Sequence, residues 1–325
     1  MDILQPIFIG GCPRSGTTML GSMIGSMSSC IVTPESIFKQ QCLTKLNQLG
    51  SISNAEFLKI ITFEMPFWNL ELDDKIFPQI ITIENVISCI NIVIQQYADS
   101  KSKKNVKYWI DHTPPNILSS LILGKYYPEA KFIHLIRDPR AVANSAMPRA
   151  WGPNSPIQFT NWWKQHIAEG LKTEQYFKEK CIRVFYEDLL SNPDLSIKRI
   201  CDFIGIEFHS NLLLKQDFQP PMSTKYQHLL VGHMPDTSRL KGYETELHPL
   251  SQIQISSILK EWIIFFGYDS INTKMPDKCN ILKLKWLLYT CTQIVLSPFR
   301  RKLLRIQKKK QLRYLKRNFL QKKLT

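Results

Sequence analysis

Short apolar runs alternate with longer stretches of helical spacing through the first 270 residues of this chain. "PIFIGG" begins at Pro6 as a strand-like run ending in glycines, and "TTMLGSMIGSM" continues with the spacing of a helix that has a small-residue face. Residues 37–99 read as mostly helical, with apolar groups at helical intervals in "EFLKIITF" and "VISCINIVIQQY". "VKYWID" and "KFIHLI" have the form of strands, followed by helices in "NILSSLILGKYY" and from "DPRAVANSAM" onward. A helix over about 160–178 precedes a strand in "CIRVFYEDL" and a helix in "LSIKRICDFIG". Residues 217–247 are rich in Pro, His, Ser and Gly without periodicity and read as a long functional loop; "LSQIQISSILKEWIIFFGY" then closes the fold as one helix. Strands alternating with helices predict an α/β fold: a parallel sheet with helices on both faces and binding residues at the carboxyl ends of its strands.

Composition adds a boundary. The chain has 325 residues and 44% hydrophobic content, enough to bury a full core. Of its formal charge of +15, residues 280–325 supply 14 Lys and Arg with no Asp or Glu, which leaves +1 for residues 1–279. The expected organisation is a nucleotide-binding body over 1–272 and a basic amphipathic helical tail over 273–325. The segment "ILKLKWLLYTCTQIVL" is too short and too cationic to span a bilayer, while Leu312, Leu315 and Phe319 fall at helical spacing among cations. Such a helix can lie on an anionic membrane surface, recruit acidic glycans or peptides, or bind nucleic acid without sequence preference. Eight cysteines, at 12, 30, 42, 89, 181, 201, 279 and 291, include no C-x-x-C pair, which argues against zinc and disulfide frameworks and fits a reducing compartment. With a strand beginning at residue 6 and no leader before it, the expected location is cytoplasmic, with the tail peripheral at the membrane.

The candidate chemistry starts at "GGCPRSGTTML", residues 10–20, between the first strand and the first helix. Gly11 and Gly16 have the spacing of a nucleotide phosphate loop, G-x-x-x-x-G-K-[ST], but Thr17 stands in place of the lysine and Arg14 appears early. Such a turn aims the amides of Ser15, Gly16, Thr17 and Thr18 at an anion, with the helix dipole behind them and the Arg14 fork beside them. Thr18 and Asp111 can imitate the metal-holding groups of a kinase, so the loop alone keeps an ATP-dependent small-molecule kinase open. A second site follows "KFIHLI": Arg137, then Asp138 and Pro139 as helix N-cap and first position, then Ser145 seven residues after the cap on the same face. Arg137 and Ser145 can converge on one anion. Two anion sites at the ends of two strands suit a nucleotide with phosphate groups at both ends.

The loop "PRSGTT", "KFIHLIRDPRAVANS" and "RVFYEDLLSNPDLSIKRICDFIGI" resemble the PAPS-dependent sulfotransferases, particularly their bacterial and tyrosylprotein branches, over roughly residues 6–270. The resemblance implies a phosphate-loop nucleotide-kinase-like sheet. It also implies that Pro13 to Thr18 hold the 5′-phosphosulfate, with Arg137 and Ser145 on the 3′-phosphate and no metal needed. Within "DTSRLKGYETEL", Ser238 matches a nucleotide-contacting serine and Arg239 or Lys241 can reach phosphate; the family's tryptophan nearby is absent, with Tyr243 as its substitute.

Sulfuryl transfer to a hydroxyl needs a base for the acceptor proton and positive charge on the departing phosphate oxygen. Arg14 suits the second role. Glu35, in "IVTPESIF", matches the catalytic glutamate of the tyrosylprotein branch; Thr33-Pro34-Glu35 also reads as a helix cap, first-turn proline and dipole-stabilising acid. "DHT", residues 111–113, ends a strand where the family carries a lysine, so His112 is the second catalytic candidate: neutral, it can act as base; protonated, it can stabilise the leaving group. Asp111 can orient His112 or cap the next helix. Trp162, Trp163 and Trp262 read as packing residues. The expected reaction is PAPS-dependent sulfation of a hydroxyl on a sugar, peptide tyrosine, lipid or small alcohol. The alternatives are the kinase and a non-catalytic nucleotide-binding protein held at membranes or polyanions.

Overall fold

In order along the chain, the strands of the computed structural model are β1 (Gln5–Gly11), β2 (Cys30–Thr33), β3 (Ser51–Ser53), β4 (Ile80–Thr82), β5 (Tyr108–Asp111), β6 (Lys131–Ile136) and β7 (Cys181–Phe185). The helices of the first half are α1 (Thr17–Gly25), α2 (Phe38–Leu49), α3 (Asn54–Thr62), α4 (Met65–Trp68), α5 (Val86–Ser100) and α6 (Ser120–Tyr126). Those of the second half are α7 (Pro139–Ala146), α8 (Pro156–Phe177), α9 (Tyr186–Ser191), α10 (Pro193–Ile204), α11 (Tyr243–Glu246), α12 (Pro249–Ile258) and α13 (Lys260–Phe265). The structure describes residues 4–149, 151–210 and 240–269, together with Thr237 and isolated positions between 288 and 306. Among the described residues no helix is long and apolar enough to cross a membrane.

Five strands form one parallel sheet in the order β2-β5-β1-β6-β7. The chain runs from the centre to one edge, returns through β5, and then crosses to the other side of β1. That reversal places the carboxyl end of β1 at the switch point of the sheet, where open α/β folds bind ligands. The register aligns the functional ends: Thr33 lies opposite Asp111, and Gly11 opposite Leu135. This is the expected α/β class with a phosphate loop leaving the central strand.

Both faces of the sheet are covered, which is why its strands read as nearly continuous apolar runs. Phe8, Trp109 and Phe132 point to one face and pack with α2, α3 and α5, with Phe8 meeting Trp109 and Phe132 at centroid distances of 5.7 and 5.6 Å. Ile7, Ile9, Ile110 and Ile133 point to the other face, against α1 and α10. A third cluster gathers Trp163, Phe159, Ile255 and Ile263 from α8, α12 and α13 around Ile136 and Cys12, bracing the loop region from below.

Several elements differ from expectation. The edge strand β2 and the antiparallel β3–β4 pair fall in segments with no strand-like period, and "YEDL" of the expected strand at 181–189 lies in the helix α9. The closing helix breaks at Leu259 into α12 and α13. Thr33 and Pro34 do not start a helix: α2 begins at Phe38, and the Thr33 hydroxyl accepts from Trp109 Nε1 at 2.9 Å.

Candidate active site

The loop after β1 is a strained turn. Ser15 N donates to Cys12 O at 3.1 Å, and both Arg14 (φ 78°) and Gly16 (φ 103°) occupy the left-handed region. A single arginine held there is the kind of backbone cost found at ligand sites. At Gly16 glycine is required, since a Cβ would lie 2.5 Å from the Tyr186 ring. Gly16 is also the N-cap of α1 and has no side chain to satisfy the first amides of that helix, which face the switch-point crevice. Ser15 Oγ, buried in the turn, has no hydrogen-bond partner.

The second expected anion site is built against this loop. Asp138 caps α7, accepting from Arg140 N at 2.8 Å, and the Arg140 guanidinium grips the same carboxylate. The cap aims Arg137 back across the sheet edge: its Nη1 donates to Arg14 O at 3.1 Å, and its guanidinium lies 4.1 Å from the centre of the Tyr186 ring. Arg137 Nε is buried without a partner. Arg14 Nε in turn donates to Ser145 Oγ at 3.0 Å. Arg14, Arg137 and Ser145 therefore form one contiguous cradle. Burial and the nearby Arg149 lower the Arg14 pKa to about 10, with Glu35 pulling the other way, so the guanidinium remains charged at neutral pH. The unpartnered Ser15 Oγ and Arg137 Nε, the open end of α1 and the clustered guanidiniums match the donor set that phosphate groups require.

Glu35 overlooks the loop from the other side. Its segment is pinned twice: Ser36 N donates to Thr113 Oγ1 at 2.9 Å, and Ile37 N donates to the Glu64 carboxylate at 3.0 and 3.2 Å. Glu64, from 27 residues away in sequence, thus serves the start of α2, and the expected capping role of Glu35 is corrected. Thr18 Oγ1 donates to Glu35 Oε1 at 3.3 Å. Water reaches 43% of the Glu35 side-chain surface, while its carboxyl is set among Thr18, Arg14, Lys39 and Asp111. Burial raises its pKa to about 7 against the Thr18 hydrogen bond and the Arg14 charge, with Asp111 adding to the rise.

His112 lies beside this carboxyl, its Nδ1 3.9 Å from Glu35 Oε1, beyond hydrogen-bond range. The helix α1 passes so close that a Cβ on Gly21 would sit 2.8 Å from His112 Cβ. Burial lowers the histidine to about 4 despite the attraction of Asp111, which favours the neutral of its two expected forms in the free site. Asp111 is consumed elsewhere. It forms a fully buried ion pair with Lys39, and accepts from Thr113 N at 3.0 Å, Thr113 Oγ1 at 2.5 Å and Asn116 Nδ2 at 3.1 Å. Burial opposes its ionised form, but Lys39 and Thr113 hold its pKa below the usual range. The Asp111 carboxylate that could imitate a metal-holding acid is thus engaged by Lys39, Thr113 and Asn116.

Other candidates fare unevenly. Ser238 and Arg239 lie outside the described residues, as does nearly all of the tail at 273–325. Tyr243 is 5% exposed and packs under Arg140, 4.8 Å from its guanidinium, so it is a core residue and not a replacement for the absent tryptophan. Lys241 Nζ is 3.8 Å from the Asp269 carboxylate. Trp163 is buried and meets Trp262 edge-on, as expected, whereas Trp162 lines a cleft of about 600 Å³ beside Pro13 of the loop. Sequence reasoning missed Lys39, Glu64, Arg149 and Tyr186. Only Tyr186 carried a signal, its place at the carboxyl end of β7.

The family model described as "Sulfotransferase family" matches residues 6–210. A putative protein-tyrosine sulfotransferase of Caenorhabditis briggsae is 25% identical over 278 residues, spanning 84% of this chain and 85% of that protein. Protein-tyrosine sulfotransferase 2 of Gallus gallus is 24% identical over 64% of this chain, and the chain spans about half of that relative, 53% of its length. The sulfotransferase domain of the Synechococcus PCC 7002 olefin synthase shares the fold with a TM-score of 0.51 at 21% identity, covering 83% of this chain and 97% of that domain. The matched span holds the loop, Glu35, His112, Arg137 and Ser145, and the chain belongs to the sulfotransferase family.

Proposed function

We infer that this protein moves a sulfuryl group from PAPS to a hydroxyl acceptor, with Glu35 as the general base. The observation that carries the reading is a carboxyl hydrogen-bonded at 3.3 Å to Thr18 of a phosphate loop, and its surroundings raise its pKa to about 7. A base with that pKa is half ionised at neutral pH and can take up the acceptor proton without being too weak to hold it. When bound, PAPS supplies the sulfuryl group and leaves as PAP. Arg14, the amides from Ser15 to Thr18 and the dipole of α1 stabilise negative charge on the phosphate end of the site. Arg137, held flat by Tyr186, and Ser145 hold the second phosphate. His112, buried with its Nδ1 3.9 Å from Glu35 Oε1, is the second candidate proton acceptor.

Family membership does not favour the kinase or the non-catalytic alternative. The kinase is further weakened by the missing loop lysine and by Lys39 on the Asp111 carboxylate. The acceptor is a hydroxyl; protein tyrosine is the acceptor class named for the relatives. A cytoplasmic location, with the basic tail on an anionic membrane surface, is part of the same proposal.

Calorimetric titration with PAP, against ATP with Mg²⁺, tests the donor site. PAP binding without metal, lost in Arg137→Ala, is the expected result. No PAP binding, with ATP–Mg²⁺ binding unaffected by Arg137→Ala, would return the loop to the kinases.

A further inference from the structure

Arg137 is aimed by contacts that run to Tyr268 and Asp269, at the end of the described body. The Asp138 N–H donates to Glu187 Oε1 at 3.0 Å. That N–H lies in the peptide plane whose carbonyl belongs to Arg137, so the bond fixes the backbone from which the guanidinium extends. The other carboxylate oxygen, Glu187 Oε2, accepts from the Tyr268 hydroxyl at 3.1 Å. Burial and the neighbouring Glu187 push the Tyr268 pKa up, so the phenol keeps its proton and is the donor.

A second arm reaches the same residue. The Asp138 carboxylate accepts from Arg140 Nε at 2.9 Å and from Arg140 Nη2 at 2.6 Å. Arg140 Nη1 donates in turn to the Asp269 carbonyl at 2.8 Å, 129 residues further along the chain. Two consecutive residues, Tyr268 and Asp269, therefore close a ring of hydrogen bonds around Asp138. One arm enters through its amide and the other through its carboxylate. Tyr268 is itself seated edge-on against Phe185 at the end of β7, with ring centres 6.4 Å apart.

Capping α7 requires only the Asp138 carboxylate on the Arg140 amide. The Glu187 arm adds nothing to that cap; what it holds is the peptide joining Arg137 to Asp138. Ordering an arginine on binding costs side-chain freedom. A guanidinium already aimed, and laid 4.1 Å from the centre of the Tyr186 ring, has given up that freedom before a phosphate arrives.

We propose that Glu187 and Tyr268 are positioning residues for the second phosphate of the donor: they preset Arg137 and so set the preference for a nucleotide with a 3′-phosphate over one without it. The proposal rests on the sulfotransferase reading and deepens it, because it assigns donor preference to residues that act through Arg137.

The test compares two ligands on the full chain by calorimetry: PAP, and AMP, which carries the 5′-phosphate alone and is measured by displacement of PAP. The ratio of the two affinities isolates the 3′-phosphate. In the wild type PAP is expected to bind more tightly than AMP, and Arg137→Ala to erase most of the difference. Tyr268→Phe removes one hydroxyl and should lower PAP affinity about threefold to tenfold, the effect of one hydrogen bond to a carboxylate, with AMP affinity unchanged. Glu187→Ala should cost PAP at least as much, and Glu187→Gln, which keeps an oxygen for the Asp138 amide, should restore most of the loss. A merely structural role would lower both affinities by one factor. Unchanged PAP affinity in both Tyr268→Phe and Glu187→Ala, or an equal loss for PAP and AMP, overturns the proposal alone. Equal wild-type affinity for PAP and AMP overturns the assignment of the cradle to a 3′-phosphate, and the proposal with it. Absence of PAP binding overturns the sulfotransferase reading itself.

Discussion

Glu35 owes its chemistry to where it stands. A carboxyl in water is ionised well below neutrality, but in this crevice its pKa rises to about 7. Because the base must be ionised to act, kcat/KM should increase as pH rises through about 7 and level off above it, provided the acceptor does not titrate in that range. Glu35→Gln should lower kcat by about 10²–10⁴ and flatten that rise while leaving PAP affinity in place, read by initial rates across pH and by calorimetry. A limb near pH 7 that survives the substitution would show that the titrating base is not Glu35. Gly16→Ala forces a Cβ to within 2.5 Å of the Tyr186 ring at φ 103°, so PAP binding should fall sharply with little loss of the sheet. Local motifs made Arg14, Gly16, Arg137 and Ser145 legible, since each sits at a fixed offset from a strand end or a cap. Lys39 and Glu64 were not legible: a lysine opening an amphipathic helix and a glutamate ending another look like solvated residues until the tertiary fold buries them.

Between elements, two buried charge clusters fasten the fold. Lys39 links α2 to the end of β5 through Asp111. Lys39→Met would strand that carboxylate in the core and should cost about 3–5 kcal/mol in urea unfolding, with much of the loss recovered in Lys39→Met/Asp111→Asn. On the far side of the sheet Glu174 of α8 accepts from His134 Nδ1 at 2.6 Å and from Arg183 Nε at 2.9 Å, tying the helix to β6 and β7. Although burial opposes it, these two donors pull the Glu174 pKa to about 2. A carboxylate lowered in the folded state contributes stability that is complete above its unfolded pKa, 4.5, and is lost as pH falls through about 2. Glu174→Gln should therefore destabilise the protein by about 1–3 kcal/mol at pH 7, and the gap to wild type should close as unfolding is repeated toward pH 2. The same scale shows where pattern reading stops. The sheet was visible because β1, β5 and β6 are apolar on both faces, whereas the β3 and β4 strands have three residues each, too short for any period to register, and β2, no shorter than β5, runs straight into Thr33-Pro34-Glu35, which reads as a helix start.

Taken whole, the molecule separates charge from fold. The body is close to neutral, and 14 of the formal +15 belong to residues 280–325. Removing residues 273–325 should abolish sedimentation with vesicles containing anionic lipid and leave PAP affinity unchanged; sedimentation that persists would remove the membrane role of the tail. The order of the sheet has a consequence for synthesis. β1 leaves the ribosome before either of its neighbours, residues 108–111 on one side and 131–135 on the other. At about 5–20 residues per second the nascent chain carries this apolar strand, both edges open, for roughly 6–25 s before the second neighbour is made. During that interval the phosphate loop has no strand geometry to hold it. The site is thus acquired late in translation, and a chain stalled before β6 is expected to meet chaperones before it meets nucleotide.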